Sequence, residues 1–300
     1  MPLKKTQKIW MNGSFIPWDK ANTHILTHTL HYGSGVFEGI RCYKTDEGSV
    51  VFRLKDHVKR LFDSAKALKI KMPYTQTQTI DSILETIRVN KIDSCYIRPI
   101  VYFGYGEMGL STKQSKVDFA IVAWPWGTYL GEEALRKGIK LKMSDYKRYN
   151  GPLNKAKITG NYYNSTLAKV DALNTGYDEA IMLDDRGFVA EGTGENLFMI
   201  KDNVLMTPKE GSILCGITRD SIMQIAKDQG MRVKECYIAP RQLKNADEAF
   251  LTGTAAEVTP IRSIDGKKLK AIARCLELQK TFFDAANGKD EKYSHWLTFV

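Results

Sequence analysis

Glu191-Gly192-Thr193-Gly194-Glu195-Asn196-Leu197-Phe198 decides how this chain reads, together with Leu205-Met206-Thr207 and Leu214-Cys215-Gly216-Ile217-Thr218-Arg219 downstream. The glycines after Glu191 mark a tight turn at a strand end, where a buried acid can be aimed at a basic ring nitrogen. A helix is expected to begin at Ile217 or Thr218, and its first backbone N–H groups have no partner within the helix. They form an anion site, to which Thr218 adds a hydroxyl. The plainer alternative is a simple hairpin, a solvated Glu191 and an ordinary helix cap at Thr218. Taken one at a time the residues favour that alternative. Taken in order, a phosphate-type site and an acid for a basic nitrogen describe pyridoxal phosphate.

Such a cofactor needs a lysine, because its aldehyde is held as a Schiff base and the released amine can move protons at the substrate carbon. Lys155 and Lys157 both lie in Asn154-Lys155-Ala156-Lys157-Ile158-Thr159-Gly160-Asn161-Tyr162-Tyr163, between a Gly-Pro loop and a helical run containing Leu167, Ala168 and Val170. A lysine picked at random faces solvent, and composition alone does not choose between the two. Arg60 lies on an amphipathic helix with Leu54, Val58, Leu61, Phe62, Ala65 and Leu68 on its apolar side. By itself it reads as a solvated helix arginine.

The ordered pattern E-x-T-x-x-N-L-F, L-x-T and L-x-G-I-x-R resembles the motif of the class IV aminotransferases, and K-x-x-G-N-Y from Lys157 to Tyr162 resembles their lysine segment. Four stretches of the N-terminal half resemble the branched-chain amino-acid aminotransferases of that family. They are His31-Tyr32-Gly33-Ser34-Gly35-Val36-Phe37-Glu38-Gly39-Ile40-Arg41-Cys42-Tyr43, Tyr96-Ile97-Arg98-Pro99, Met108-Gly109-Leu110 and Pro125-Trp126-Gly127-Thr128-Tyr129-Leu130-Gly131. The likeness runs from about Ile9 to the C-terminal helix. It implies a two-domain α+β fold of fold type IV, similar to D-amino-acid aminotransferase, with pyridoxal 5'-phosphate between the domains. It implies Lys157 as the imine lysine, Tyr162 as phenol partner of the ring oxygen and Glu191 as partner of the ring nitrogen. Arg60, Ile217, Thr218 and Thr254 then contact the phosphate, and the backbone from Thr254 through Ala255 to Ala256 contacts the substrate's α-carboxylate. A homodimer or a dimer-based larger assembly is implied in the same way.

The reaction so implied is transfer of the amino group of leucine, isoleucine or valine to 2-oxoglutarate. Its pocket has to accept both an aliphatic side chain and the carboxylate arm of glutamate, which calls for apolar walls around a cation. Tyr32, Phe37, Trp126 and Tyr129 are the expected walls, with Gly39 beside Phe37. Arg98, with Tyr96 at strand spacing, is the expected cation for the glutamate carboxylate. The plainer reading makes these aromatics core residues and Arg98 a surface ion-pair partner. Within the fold, a D-amino-acid or amine transaminase or an aminodeoxychorismate lyase would use the same lysine.

Gly104-Tyr105-Gly106-Glu107-Met108-Gly109 fits a dinucleotide-binding glycine pattern, yet a polar loop and another strand are expected after it instead of a helix. The family resemblance implies that this 104–116 loop is a lid near the site. The 300 residues, 43% of them hydrophobic, are enough for two domains. The expected division is a small domain over 1–124, a Pro, Gly and aromatic linker over 125–134 and a large domain over 135–300. Net charge is +10 and the pI about 9.2, which raises a basic nucleic-acid-binding protein as the reading from another class. The lysines are scattered among acids without aromatic interleaving, so no nucleic acid is expected. The five cysteines make no C-x-x-C and five scattered histidines make no zinc pattern. With no signal or membrane segment expected, the protein reads as cytoplasmic.

Overall fold

Asn12 and Gly13 take φ of 50° and 92°, the two positive values that a type I′ turn demands, and they join strands Lys8–Met11 and Ser14–Pro17 in an antiparallel hairpin. The computed structural model describes residues 3–300, so the first two residues of the expected N-terminal domain lie outside it. The chain forms two compact units. The first comprises Met1–Gly127, Ala156–Asn161 and Ala285–Val300, and the second Thr128–Lys155 and Tyr162–Asp284.

In the first unit the hairpin edges an eight-stranded antiparallel sheet. From the opposite edge the order is Leu297–Phe299, Gly48–Phe52, Ile40–Thr45, Cys95–Phe103, Val117–Trp124, Lys8–Met11 and Ser14–Pro17, with Gly35–Phe37 also paired to Cys95–Phe103. Helix Leu54–Ala67 buries the apolar face expected of it, and helix Gln76–Asn90 packs into the same core: Leu54, Val58, Leu61 and Ala65 of one and Ile83 and Ile87 of the other lie with Ile97, Val101, Phe119 and Ile121. A fully buried Leu or Ile contributes about 1.5–3 kcal/mol. The expected loop and strand after Gly104 are both present, and Val117–Trp124 pairs along its whole length with Cys95–Phe103. A dinucleotide site is thereby excluded there, because no helix follows the glycines.

The second unit holds a nine-stranded mixed sheet in the order Val189–Glu191, Glu179–Asp184, Ile139–Arg148, Glu257–Ile264, Glu248–Gly253, Asn196–Lys201, Val204–Pro208 and Arg232–Cys236, with Lys267–Lys268 paired to Glu257–Ile264. Helix Ile217–Asp228 begins where the sequence places it. The helical run expected after Lys157 is present. A 3-10 turn, Thr159–Tyr162, precedes helix Tyr163–Asn174, whose buried face is the small set Ser165, Ala168 and Ala172. Leu167 and Val170 are 46% and 49% exposed, because the small face is the one that packs on the sheet.

Packing also redraws the expected domain division. Ala156 and Ile158 are buried in the first unit's core, and Leu297–Phe299 extends its sheet through Phe52, Val51 and Val50. Lys157 therefore groups with the first unit, although it follows the 125–134 stretch in sequence. Among the described residues no helix is long and apolar enough to cross a membrane, and no group of His, Cys, Asp and Glu could hold a metal ion.

Candidate active site

In the first unit, the segment carrying Lys157 is strapped down by its backbone. The Lys157 N–H donates to Ser64 Oγ at 3.0 Å, and its carbonyl accepts the Phe37 N–H at 3.1 Å. Val36 and Ile158 form a β-bridge, and Gly160 N–H donates to the Gly33 carbonyl. Gly33 has φ of +62°, and a Cβ there would stand 2.6 Å from the Gly160 Cα, so only glycine fits the approach. The outcome is a lysine whose main chain is fixed on both sides while Nζ reaches over the Phe37 ring, 4.7 Å from its centre. Lys155, by contrast, is on the surface of the second unit and pairs with Glu210 at 2.6 Å.

Arg98 sits in a box of rings. Its guanidinium carbon lies 4.8 Å from the centre of Phe37, 5.3 Å from Tyr96 and 6.0 Å from Trp124, and Nη2 donates to Tyr96 Oη at 3.3 Å. Trp126 packs edge-on against Tyr96 at 4.5 Å. Arg98 Nε is buried and has no hydrogen-bond partner in the chain, which suits a site whose carboxylate comes from elsewhere. A Cβ at Gly39 would stand 1.9 Å from Tyr96 Oη, so that glycine is what admits the buried tyrosine. Trp124 was not among the expected wall residues. Its signal was available: it faces Tyr96 directly in register, two residues before Trp126.

Arg60 is partly buried and engages Glu38 through Nε at 2.6 Å and Nη2 at 2.8 Å, while His57 Nδ1 reaches the same carboxylate at 2.8 Å. Burial would push the Glu38 carboxyl up, but the Arg60 charge and the hydrogen bonds from Arg60 and His57 outweigh it and hold the group well below the usual carboxylate range. Burial lowers His57 against the pull of Glu38, whose carboxylate its Nδ1 faces. Tyr32 is 44% exposed, and its ring partners are His28 at 4.6 Å and His31 at 6.2 Å. It does not join the box around Arg98.

In the second unit, Glu191 ends strand Val189–Glu191 and is 5% exposed. Arg148 Nη2 meets Oε1 at 2.7 Å, and Oε2 accepts from Asn196 Nδ2 at 3.2 Å and the Leu214 N–H at 3.1 Å. Asn196 also donates to the Leu214 carbonyl, and a Cβ at Gly216 would strike its Oδ1. The acid's turn and the helix start are thus tied by one amide. Helix Ile217–Asp228 has Gly216 as its N-cap with no side-chain cap, and Thr218 is buried in its first turn. Two further polar members of the motif meet each other: Thr207 Oγ1 donates to the Leu197 carbonyl and accepts from Arg219 Nε, and Arg219 continues to Glu235 at 2.7 Å. Their role is to hold the motif together.

Thr254, Ala255 and Ala256 form the turn after strand Glu248–Gly253. Tyr162 closes the 3-10 turn ahead of helix Tyr163–Asn174, where its carbonyl accepts from Thr166. Tyr129 is 40% exposed with Lys169 Nζ 5.7 Å from its ring centre. Arg148 escaped the sequence reading because one arginine at a strand end carries no local signal.

Residues 35–264 match the family described as amino-transferase class IV. A curated branched-chain-amino-acid aminotransferase of Pseudomonas aeruginosa is 47% identical over 297 residues, covering 97% of each chain. Among solved structures, the T.th. branched-chain amino acid aminotransferase with pyridoxamine 5'-phosphate is similar with a TM-score of 0.95 and 45% identity, over 98% of this chain and 99% of that one. The same enzyme complexed with N-(5'-phosphopyridoxyl)-L-glutamate is similar with a TM-score of 0.94 and 43% identity at the same coverage.

Proposed function

The chain belongs to the class IV aminotransferases, and from that premise we propose that it exchanges amino groups between leucine, isoleucine or valine and 2-oxoglutarate, with pyridoxal 5'-phosphate as cofactor. The observation that carries the substrate reading is Arg98 inside the box of Phe37, Tyr96 and Trp124, with Trp126 packed behind Tyr96. Ring faces take an aliphatic side chain without asking for direction, and the guanidinium takes the second carboxylate of glutamate.

The residues present suit the cofactor in kind: an amine at Lys157, a buried carboxylate at Glu191 and a helix start with uncapped N–H groups at Ile217 and Thr218. In this reading Lys157 holds the aldehyde carbon, Tyr162 the ring oxygen and Glu191 the ring nitrogen. Ile217, Thr218, Thr254 and Arg60 hold the phosphate. Glu38 offsets much of the Arg60 charge, so the helix N–H groups carry the larger share of that anion. Bound there, the cofactor supplies a carbonyl that bonds the substrate amine and a ring that draws electrons from the α-carbon. Lys157 Nζ removes the α-proton of the amino acid and returns a proton to the same carbon of the incoming 2-oxo acid. Glu191, kept in place by Arg148, Asn196 and the Leu214 N–H, fixes the ring's charge state. The Thr254–Ala256 turn orients the α-carboxylate, and Tyr129 adds to the walls.

A homodimer, or a larger assembly of dimers, is part of this proposal. Ile25, Leu30, Tyr105 and Leu110 are all more than half exposed on the first unit, a surface that a second copy would cover. The enzyme would work in the cytoplasm, where its five cysteines, none joined in a disulfide, stay reduced. The deciding experiment is a spectrophotometric half-reaction panel: L-leucine converts the bound cofactor while D-alanine and aminodeoxychorismate do not. Conversion by D-alanine in preference to L-leucine overturns the reading.

A further inference from the structure

The turn carrying Glu191 is crowded with acid. Glu179, Glu191 and Glu195 are 0%, 5% and 4% exposed. Two cations meet this group: Lys169 Nζ lies 2.8 Å from Glu179 Oε2, and Arg148 Nη2 lies 2.7 Å from Glu191 Oε1. Glu179 Oε1 also accepts from Thr193 Oγ1 and the Ala180 N–H, which pins the tip of the turn. Glu195 Oε2 accepts the Gly194 N–H at 3.0 Å and lies 2.7 Å from where a Cβ on Gly192 would stand. Its carboxyl therefore fills the underside of the turn, while the Gly192 N–H closes the turn on the Glu195 carbonyl at 2.7 Å. Three buried carboxylates against two cations leave one negative charge in excess, and a buried group in that position sheds its charge by binding a proton.

We propose that Glu195 is a positioning residue held as the neutral acid at neutral pH, so that the turn can close beneath Glu191 and keep that carboxylate charged and aimed. The proposal rests on the functional reading above only for what Glu191 faces. Burial first, then the charge of Glu179, push the Glu195 carboxyl up to about 8. The Gly194 N–H and Lys169 oppose the shift and Glu191 adds to it.

The sign of the pH effect follows. The folded chain holds a proton that the unfolded chain releases from about pH 4.5 upward, so stability is full below that value and declines until about pH 8. The test uses cofactor-free protein. The melting temperature of Glu195→Gln gains on the wild type steadily from pH 5 to 8, and the gap is constant above that. With glutamate isotopically labelled at its carboxyl, the wild type shows a protonated-acid infrared band at pH 7 that titrates away near pH 8 and is missing in Glu195→Gln. In the loaded enzyme Glu195→Gln keeps about tenfold more turnover than Glu195→Ala. A melting gap independent of pH, or no acid band at pH 7, overturns the proposal. If Glu195→Gln does not fold, the wild-type band decides alone. The melting and infrared readouts need no cofactor, so a failed substrate panel leaves them standing, and a normal panel without the acid band sinks only Glu195.

Discussion

Around Lys157 and Arg98 the contacts are ring faces and backbone hydrogen bonds, with Nζ 4.7 Å and the guanidinium 4.8 Å from the same Phe37 ring. Around Glu191 they are ion pairs and amide hydrogen bonds: Arg148, Asn196 and the Leu214 N–H each meet a particular oxygen. Ring faces hold a cation without dictating one geometry, so the first region can receive different side chains. A buried carboxylate with assigned donors has one geometry, and losing a donor leaves a charge uncompensated. The first region is suited to choosing substrates and the second to holding one thing still.

Substitution at the shared chemical step separates the two regions most sharply. Lys157→Ala is expected to abolish steady turnover, by several orders of magnitude, along with the hydride-reducible adduct seen on peptide mapping. Normal transamination by that variant, or an adduct on Lys155, breaks the comparison at its root. Glu191→Gln is expected to keep cofactor bound, read from its visible absorbance, while kcat falls roughly 100-fold; an unchanged kcat removes Glu191 from its role. Arg98→Ala sharpens the contrast. The KM for 2-oxoglutarate rises about 10- to 100-fold, the worth of a charge-assisted hydrogen bond, and the KM for leucine moves far less. Equal changes for both would make Arg98 a structural residue.

Gly39→Ala forces a Cβ to within 1.9 Å of Tyr96 Oη, and the overpacking is expected to cost about 1–3 kcal/mol by urea unfolding. The smallest effect is a pH slope. His57 is held below its ordinary 6.5, so the unfolded chain takes up a proton there that the folded chain refuses. Stability then falls as pH drops below 6.5. Glu38, also held low, adds to the loss below about 4.5. Glu195 acts with the opposite sign between about pH 4.5 and 8. The His57 stage is therefore read as the melting-temperature difference between wild type and His57→Gln from pH 7 to 4, which should shrink below 6.5. The Glu38 stage is read as a further loss below about 4.5.

Much of the second region was legible as text because its parts are close in sequence. Glu191, Asn196 and Leu214 span a strand, a turn and the approach to a helix, and the hydrogen bonds among them are local or nearly so. Arg148 was invisible because its link to Glu191 crosses between strands that are distant in sequence. The first region hid more. Glu38 was read only as part of a motif, although it binds both Arg60 and His57 from nineteen or more residues away. Tyr32, placed among the walls by its motif, is exposed at the end of a five-residue helix. The C-terminal strand Leu297–Phe299 gave no signal, since three residues carry no periodicity.

By itself the sequence determined the local grammar: the Asn12-Gly13 hairpin, the amphipathic helix bearing Arg60, the helix start at Ile217 and the motif that identifies the family. Those features depend on neighbours a few positions apart, where propensity and periodicity act. The tertiary structure alone decided that Lys157 packs with the first unit, that Arg98 gathers three rings and that three buried acids share two cations. Such matters turn on burial and charge balance among residues brought together from distant parts of the chain, and no local pattern records which ones will meet.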